Sequence, residues 1–166
     1  MQNINAFEHA EAILKQLSKG AFLNVAAAGK QNTMTIGWGQ LGFQWGLPTF
    51  AVMVRASRFT KTLIDKNPVF TVSVPLNPGF QKALGLCGTK SGRDIDKYAA
   101  ATLETAPAQI VSAPIIKGAG LHIECEIVEV KPMNPASFDK ELTNHWYADN
   151  DWHTYYVGKI VAAYVD

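Results

Sequence analysis

Residues 21–75 read AFLNVAAAGKQNTMTIGWGQLGFQWGLPTFAVMVRASRFTKTLIDKNPVFTVSVP. β-Branched and aromatic residues are concentrated in four short segments of this stretch, which Gly, Pro and Asn separate: Phe22–Ala28, Thr33–Trp38, Thr49–Arg55 and Val69–Pro75. This pattern predicts four β-strands. Only one short helix fits, between the last two strands, with Ser57 or Thr60 as its cap and Asn67-Pro68 at its end.

Helices are also predicted at the N-terminus and after the fourth strand. Four apolar residues share one face at helical spacing: Phe7, Ala10, Leu14 and Leu17. Asn5 and Glu8 stand at the positions of a capping box, and Gly20 can end the helix. A second short helix is predicted from Pro78 to Leu86.

Two long strands complete the prediction, Leu121–Lys131 and Thr154–Val165, with an irregular insertion between them at Pro132–Asp151. A helix is expected near Ser137–Leu142 in this insertion. Strands outnumber helices and their connections are short, whereas a parallel sheet needs a crossover helix after nearly every strand. The sequence therefore predicts a mainly β fold, an antiparallel barrel with short flanking helices, in a single domain spanning residues 1–166.

Composition excludes several classes of protein. Of the 166 residues, 48% are hydrophobic and only 17% are charged, with a net charge of +1, whereas soluble domains usually carry about 25% charged residues. A disordered chain would be poor in apolar residues, and a nucleic-acid binder would carry a surplus of Lys and Arg. So few charges suggest that a partner or an apolar ligand covers part of the surface.

The sequence also bears on the compartment of the protein and on membrane association. Cys87 and Cys125 make no disulfide framework, and the N-terminus lacks the pattern of a signal peptide. No apolar run approaches the roughly 20 residues that span a bilayer. A cytoplasmic protein without a membrane partner is expected.

One motif is misleading. Residues 37–42 match the G-x-G-x-x-G fingerprint of dinucleotide-binding proteins, but that fingerprint requires a helix to begin at its third Gly. Gly46 and Pro48 would break such a helix within its first turns. The segment is better interpreted as a Gly-rich strand and loop whose indoles, Trp38 and Trp45, can lie against a planar ligand.

Two loops combine cations with hydroxyl groups, which together suit a phosphate. Residues 54–62 carry three of each, although a capped surface helix would explain the same residues. Residues 87–94 carry two glycines, two hydroxyls and two cations, and a turn before a helix capped at Asp94 is the alternative. Lys90 and Arg93 also make Cys87 a candidate thiolate, although no base is paired with it.

Two segments contain histidines that are candidates for a functional site. His153, just ahead of the last strand, is either structural or a donor to a ligand oxygen. His122, Glu124 and Glu126 share one face of a strand, but they spread over roughly 13 Å and cannot close around one ion. No metal site is predicted.

Taken together, these segments resemble the flavin reductase-like, FMN-binding split-barrel family, especially its flavoredoxin-like branch. The resemblance is carried by residues 32–38 (NTMTIGW), 54–60 (VRASRFT), 87–97 (CGTKSGRDIDK), 121–125 (LHIEC) and 151–158 (DWHTYYVG), in the family's order. No one stretch is diagnostic, whereas the ordered set is reasonably specific.

The resemblance implies an antiparallel split β-barrel, a homodimer and FMN held near the dimer interface. Carried over by position, the residues that would meet the flavin are Asn32, Thr33, Met34, Thr35, Trp38, Lys90 and Ser91. Those that would surround its phosphate are Arg55, Ser57, Thr60 and Lys61. His153 matches the position of a family histidine at the flavin and nicotinamide site, although Trp152 here replaces an Asp or Thr and the preceding Gly is missing.

The expected function follows from the cofactor, which supplies the difficult chemistry. An NAD(P)H-dependent flavin reductase would pass a hydride to FMN, with Lys90 or His153 stabilising the negative charge of the reduced ring. A flavoredoxin-type electron carrier reduced by a partner protein is the alternative, and a noncatalytic flavin-binding barrel is the third.

Overall fold

The computed structural model describes residues 1–166, and its largest element is one antiparallel sheet. The ten strands are β1 (Gln2–Asn3), β2 (Ala21–Ala27), β3 (Lys30–Ile36), β4 (Gly39–Gln44), β5 (Leu47–Arg55), β6 (Val69–Pro75), β7 (Thr105–Pro107), β8 (Pro114–Ile116), β9 (Gly120–Pro132) and β10 (His153–Val165). The five helices are α1 (Ala10–Leu17), α2 (Phe59–Ile64), α3 (Gln81–Thr89), α4 (Lys97–Ala100) and α5 (Lys140–Trp146).

The main sheet has the strand order β3-β2-β6-β9-β10-β5-β4, with β1 paired to β10. Every pairing is antiparallel, which confirms the strand arrangement predicted from the short connections. Strands β7 and β8 form a separate hairpin. None of the helices is long and apolar enough to cross a membrane.

The main core contains 20 buried residues, contributed by α1, α2 and six strands of the sheet. Its largest member is Tyr156 of β10, which is fully buried. β10 lies between β9 and β5 and pairs with both along most of its length. At Gly158 the neighbouring side chains approach so closely that an added Cβ would lie 2.6 Å from the Cβ of Cys125 and 2.8 Å from the Phe70 ring.

The N-terminal helix differs from its prediction. Residues Ala6–His9 form a 3-10 turn, and α1 begins only at Ala10. Because a 3-10 turn has three residues per turn, it changes the phase of the apolar face. Phe7 and Leu14 are therefore exposed, while Ile13 and Leu17 are buried. Asn5 caps the turn by accepting from the Phe7 N–H at 3.0 Å.

Three further helices begin at residues other than those that local spacing favoured. α2 follows Arg58, since the Ser57 hydroxyl is bonded elsewhere and Thr60 lies inside the helix. α3 starts three residues later than predicted, after Phe80. Asp96 rather than Asp94 caps α4, accepting from the N–H of Tyr98 at 2.9 Å. At α2 the difference arises because tertiary contacts occupy the two hydroxyls that local spacing favoured, Asp151 at Ser57 and Asn32 at Thr60.

Candidate functional site

Two adjoining cavities lie where β3 meets the segment after β5. The first, here named the indole pocket, encloses about 160 Å³ and is lined by both strand and insertion residues: Met34, Thr35, Ile36, Gly37, Trp38, Met53, Arg55, Arg58, Trp146 and His153. The second, the cation pocket, encloses about 100 Å³ and is lined by Asn32, Met34, Ser57, Arg58, Phe59, Thr60, Lys90, Ser91, Gly92, Arg93 and Lys97. Met34 and Arg58 line both, so the two cavities lie side by side.

The cation pocket gathers four positive side chains, Arg58, Lys90, Arg93 and Lys97. None of them forms an ion pair with a carboxylate. Arg93 donates to the carbonyl of Ser57 at 2.9 Å, and Lys97 donates to the carbonyl of Cys87 at 2.8 Å. A concentration of cations without carboxylate partners attracts an anion.

The pKa of Lys97 is lowered in this pocket. Its side chain is buried, and burial together with the nearby Arg58 guanidinium lowers its pKa. Three hydroxyls, those of Ser57, Thr60 and Ser91, line the same cavity. Cations beside hydroxyl donors are the groups that bind a phosphate in proteins.

Packing between β3, α2 and the loop after α3 shapes the cation pocket. The Asn32 amide donates to the Thr60 hydroxyl at 2.9 Å, which ties β3 to α2. Gly92 lies against this pair, and a Cβ added there would overlap the Asn32 amide and approach the Phe59 ring to 3.0 Å. Only glycine lets the loop pass so close to β3.

Aromatic rings enclose the indole pocket. The Trp38 ring meets the Trp146 ring edge to face at 4.8 Å and lies 5.4 Å from the His153 ring. Trp38 lies just before β4 and His153 begins β10, whereas Trp146 ends α5 of the insertion. The insertion therefore covers one side of this pocket.

Hydrogen bonds hold the insertion in that position. Arg55 donates to the carbonyl oxygens of Trp146 at 2.7 Å and Asp151 at 2.9 Å, and pairs with Asp149 at 3.4 Å. The Asp151 carboxylate accepts from the hydroxyl and the backbone N–H of Ser57. Arg55 and Ser57 thus fasten residues 146–151 to the end of β5.

His153 lies between these groups and is neutral at ordinary pH. Burial, followed by the nearby Arg55 guanidinium, lowers the pKa of His153 to about 4, while Asp151 acts in the opposite direction. Its Nδ1 lies 2.8 Å from the Tyr147 hydroxyl. His153 thus supplies the indole pocket with an uncharged ring.

The structure brings most of the predicted site residues to these two cavities: Asn32, Met34, Thr35, Trp38, Arg55, Ser57, Thr60, Lys90, Ser91 and His153. Two are not brought there. Thr33 lines neither cavity, and its buried hydroxyl has no hydrogen-bond partner. Lys61 pairs instead with Asp65 at 2.8 Å and with the Tyr156 hydroxyl at 3.0 Å.

Nine residues that line the cavities are not among the predicted site residues: Ile36, Gly37, Met53, Arg58, Phe59, Gly92, Arg93, Lys97 and Trp146. Arg58 and Arg93 belong to the two loops, residues 54–62 and 87–94, that combine cations with hydroxyl groups. Lys97 is the N-terminal residue of α4, and Trp146 belongs to the insertion, for which no role was predicted. No local pattern indicates that either side chain reaches a shared cavity.

The rejected motifs have structural roles. Residues 39–44 form β4, paired with β5, so no helix follows the third Gly of the G-x-G-x-x-G match. Cys87 is buried, and burial raises the pKa of its thiol, which argues against a reactive thiolate. Glu124 is buried and accepts from three backbone N–H groups and the Tyr164 hydroxyl.

Comparisons with known proteins agree with this geometry. A family model described as a flavin reductase like domain matches residues 15–166. The flavoredoxin of Methanosarcina acetivorans is 28% identical, with 89% of this chain and 68% of that chain covered at a TM-score of 0.70. An FMN-binding protein from Thermus thermophilus, solved with bound 1-cyclohex-2-enone, is 26% identical, with 87% and 68% covered and a TM-score of 0.68.

A third solved structure extends the likeness in fold. The NADH:FAD oxidoreductase of Streptomyces globisporus is 19% identical, with 94% of this chain and 83% of that chain covered at a TM-score of 0.66. No curated protein matches the chain. The structural likenesses confirm the antiparallel split β-barrel expected from the sequence.

Proposed function

The chain belongs to the flavin reductase-like family, and on that premise we propose that it is an FMN-binding oxidoreductase that takes a hydride from NAD(P)H. The observation that carries the proposal is that the cation pocket lies beside the indole pocket, with Met34 and Arg58 lining both. FMN has the same two parts, an anionic phosphate at one end and a flat aromatic ring at the other.

The residues present fit this cofactor. Arg58, Lys90, Arg93 and Lys97 lack carboxylate partners, so their charge is available to a phosphate. In the indole pocket, Trp38 and Met34 offer apolar contact to the ring, while His153 and Arg55 offer polar atoms. Bound FMN would accept a hydride from NAD(P)H, which leaves as NAD(P)⁺, and pass both electrons to an acceptor.

The side chains of this site have distinct roles in the proposal. The cation pocket binds and orients the phosphate end, and Lys90 and Ser91 extend toward the flavin from the loop after α3. Trp38 and Trp146 exclude water from the ring. No protein nucleophile is required, which agrees with the burial of Cys87.

We also propose that the protein is a homodimer. Phe43 and Trp45 of the β4–β5 hairpin are more than three-fifths exposed, and the exposed Phe7 ring lies 6.4 Å from that of Phe43. A surface patch of large apolar side chains marks an interaction site. Light scattering after size exclusion is expected to give twice the mass of the chain, and a monomer at micromolar concentration would contradict the dimer.

An electron carrier of the flavoredoxin type is the second candidate, and the cover over the indole pocket favours it. Trp146 lines this pocket and meets Trp38 edge to face at 4.8 Å, so it would compete with a nicotinamide ring for the space beside a bound flavin. Trp146→Ala is then expected to raise the rate at which NADH reduces bound flavin several-fold, with Leu142→Ala, an exposed change on the same helix, as the control.

The absorbance spectrum of the purified protein tests the proposal. We expect a yellow protein, or a colourless one that takes up added FMN, whose flavin band NADH or NADPH bleaches without oxygen. Bound flavin that neither nucleotide reduces would favour the carrier or a noncatalytic flavin-binding barrel. Protein that takes up no FMN would contradict all the flavin functions.

A further inference from the structure

Tyr147 and His153 form a buried pair behind the indole pocket. The Tyr147 hydroxyl oxygen lies 2.8 Å from Nδ1 of His153, and Tyr147 is 2% exposed. Nε2 of His153 has no hydrogen-bond partner in the chain, and it is not closed off from solvent. The His153 ring lines the indole pocket. One ring nitrogen is therefore bonded to Tyr147 and the other is available to a ligand.

We infer that Tyr147 is a positioning residue that donates its hydroxyl proton to Nδ1 of His153, fixing the tautomer with the proton on Nε2. The ring then presents an N–H donor to the indole pocket. Its ligand would be an uncharged or anionic acceptor, such as a carbonyl oxygen or ring nitrogen. The tautomer does not depend on a flavin, whereas the identity of the acceptor rests on the proposed function.

The surroundings hold Tyr147 rigidly for this role. Its ring stacks on Trp152 at 4.3 Å with an angle of 6° and meets Phe138 edge to face at 5.5 Å. The Arg55 guanidinium lies 5.2 Å from the centre of the ring. Arg55 also holds the carbonyl of Trp146, the preceding residue. These contacts fix the position of the Tyr147 hydroxyl.

A competing acceptor makes the choice of tautomer testable. The Tyr147 oxygen also lies 3.4 Å from the sulfur of Met133. If the hydroxyl donated to that sulfur, Nδ1 would carry the proton and Nε2 would be an acceptor. A thioether accepts weakly, whereas the lone pair of a neutral imidazole accepts strongly. The shorter bond to Nδ1 is therefore the one that takes the proton.

Charges around the pair keep both groups in the required state. Burial raises the pKa of Tyr147, so its hydroxyl stays protonated. Arg55 and Arg58 oppose a charge on His153, and Asp151 is the acidic group that favours one. With a pKa of about 4, His153 is neutral from acidic to alkaline buffer and holds one ring proton, whose position Tyr147 decides.

Nitrogen NMR of the histidine side chains, on flavin-free protein labelled with ¹⁵N-histidine, tests the inference directly. His153 is assigned by the loss of its signals in His153→Gln. We expect a protonated Nε2 and an unprotonated Nδ1 between pH 6 and 8. A protonated Nδ1 in the wild type would overturn the inference, whether or not the protein binds a flavin.

Two variants separate positioning from folding. Tyr147→Phe keeps the stacked ring and removes the donor, so the two tautomers should become mixed while the backbone amide spectrum remains that of the folded protein. Met133→Leu removes the competing sulfur and should leave the Nε2 tautomer unchanged. An unchanged tautomer in Tyr147→Phe, or a switched one in Met133→Leu, would each contradict the role of Tyr147.

Discussion

The carboxylate of Asp151 accepts two hydrogen bonds from Ser57, one from the hydroxyl at 2.6 Å and one from the backbone N–H at 3.0 Å. Ser57 also lines the cation pocket. An acidic group from the insertion therefore lies beside the cavity proposed to take the FMN phosphate. This carboxylate both fastens the insertion and repels an incoming anion.

Replacing this charge should strengthen FMN binding. Asp151→Asn keeps an acceptor oxygen for Ser57 but removes the negative charge, so we expect the Kd for FMN to fall roughly three- to tenfold at low salt. Flavin fluorescence titration measures the change. Riboflavin lacks the phosphate and serves as the control, since an equal gain for riboflavin would show that the effect does not arise from phosphate charge.

Removing a cation or a hydroxyl from the cation pocket should weaken binding. A hydrogen bond to a charged group contributes about 1.5–3 kcal/mol, so Lys90→Gln should raise the Kd for FMN roughly 10- to 100-fold and reduce its salt dependence. Thr60→Ala should weaken binding as well, because it also releases Asn32.

Lys82→Gln is the matched control for these variants, since Lys82 is an exposed lysine on α3 outside both pockets. Unchanged affinity in both Lys90→Gln and Thr60→Ala would show that the phosphate binds elsewhere.

Acid should destabilise the fold through His153. Its pKa is about 4 in the folded protein and about 6.5 when unfolded, so the unfolded chain binds more protons between these values. Its stabilising contribution is therefore complete above about pH 6.5 and is lost as pH falls toward 4. Burial also lowers the pKa of His122, which acts in the same direction.

Urea unfolding at pH 7.5 and pH 5 measures this loss. We expect His153 alone to account for about 2 kcal/mol of the decrease in the free energy of unfolding. His153→Gln should remove that part of the pH dependence, whereas substitution of the exposed His145 should not. Equal pH dependence in the wild type and His153→Gln would contradict the prediction.

A methyl group at Gly158 should destabilise the centre of the sheet. Gly158→Ala would place its Cβ against Cys125 and Phe70, neither of which can yield in a packed core. Overpacking of this kind costs about 1–3 kcal/mol, which should lower Tm by several degrees in a thermal melt.

Gly85→Ala is the paired control, because Gly85 lies in α3 with open space around its Cβ position. There the same methyl group should raise stability by about 0.5–1 kcal/mol through helix propensity. Equal effects at the two positions would show that close packing at Gly158 is not the cause.

The strands were largely predictable because their buried positions require apolar side chains, which leaves a pattern in the sequence. Thr49–Arg55 and Val69–Pro75 are observed close to their predicted bounds, and Thr154–Val165 differs by one residue at its start. The exception is β4, where four small or polar residues among six hide the alternation of an exposed strand. The hairpin of β7 and β8 was missed because three-residue strands carry too little pattern to detect.

The site was predictable only where its residues share a loop. Lys90 and Ser91, or Ser57 and Thr60, are close in sequence, so their chemistry is visible as a local cluster. Trp146 and Lys97 reach the cavities from α5 and α4, and nothing in their own neighbourhoods predicts that contact. Lys61 shows the converse, because a cation in the right loop found a nearer partner in Asp65.

By itself the sequence determined the antiparallel strands and the loops that hold most of the site, because burial and turn formation act through near neighbours, and its resemblance to a known family implied the split barrel. Only the tertiary structure decided that Arg55 and Ser57 fasten the insertion, that four cations share one pocket, and that Tyr147 faces His153. The contacts that fasten the insertion join residues far apart in the chain, up to 96 positions for Arg55 and Asp151. Their geometry exists only once the sheet has formed.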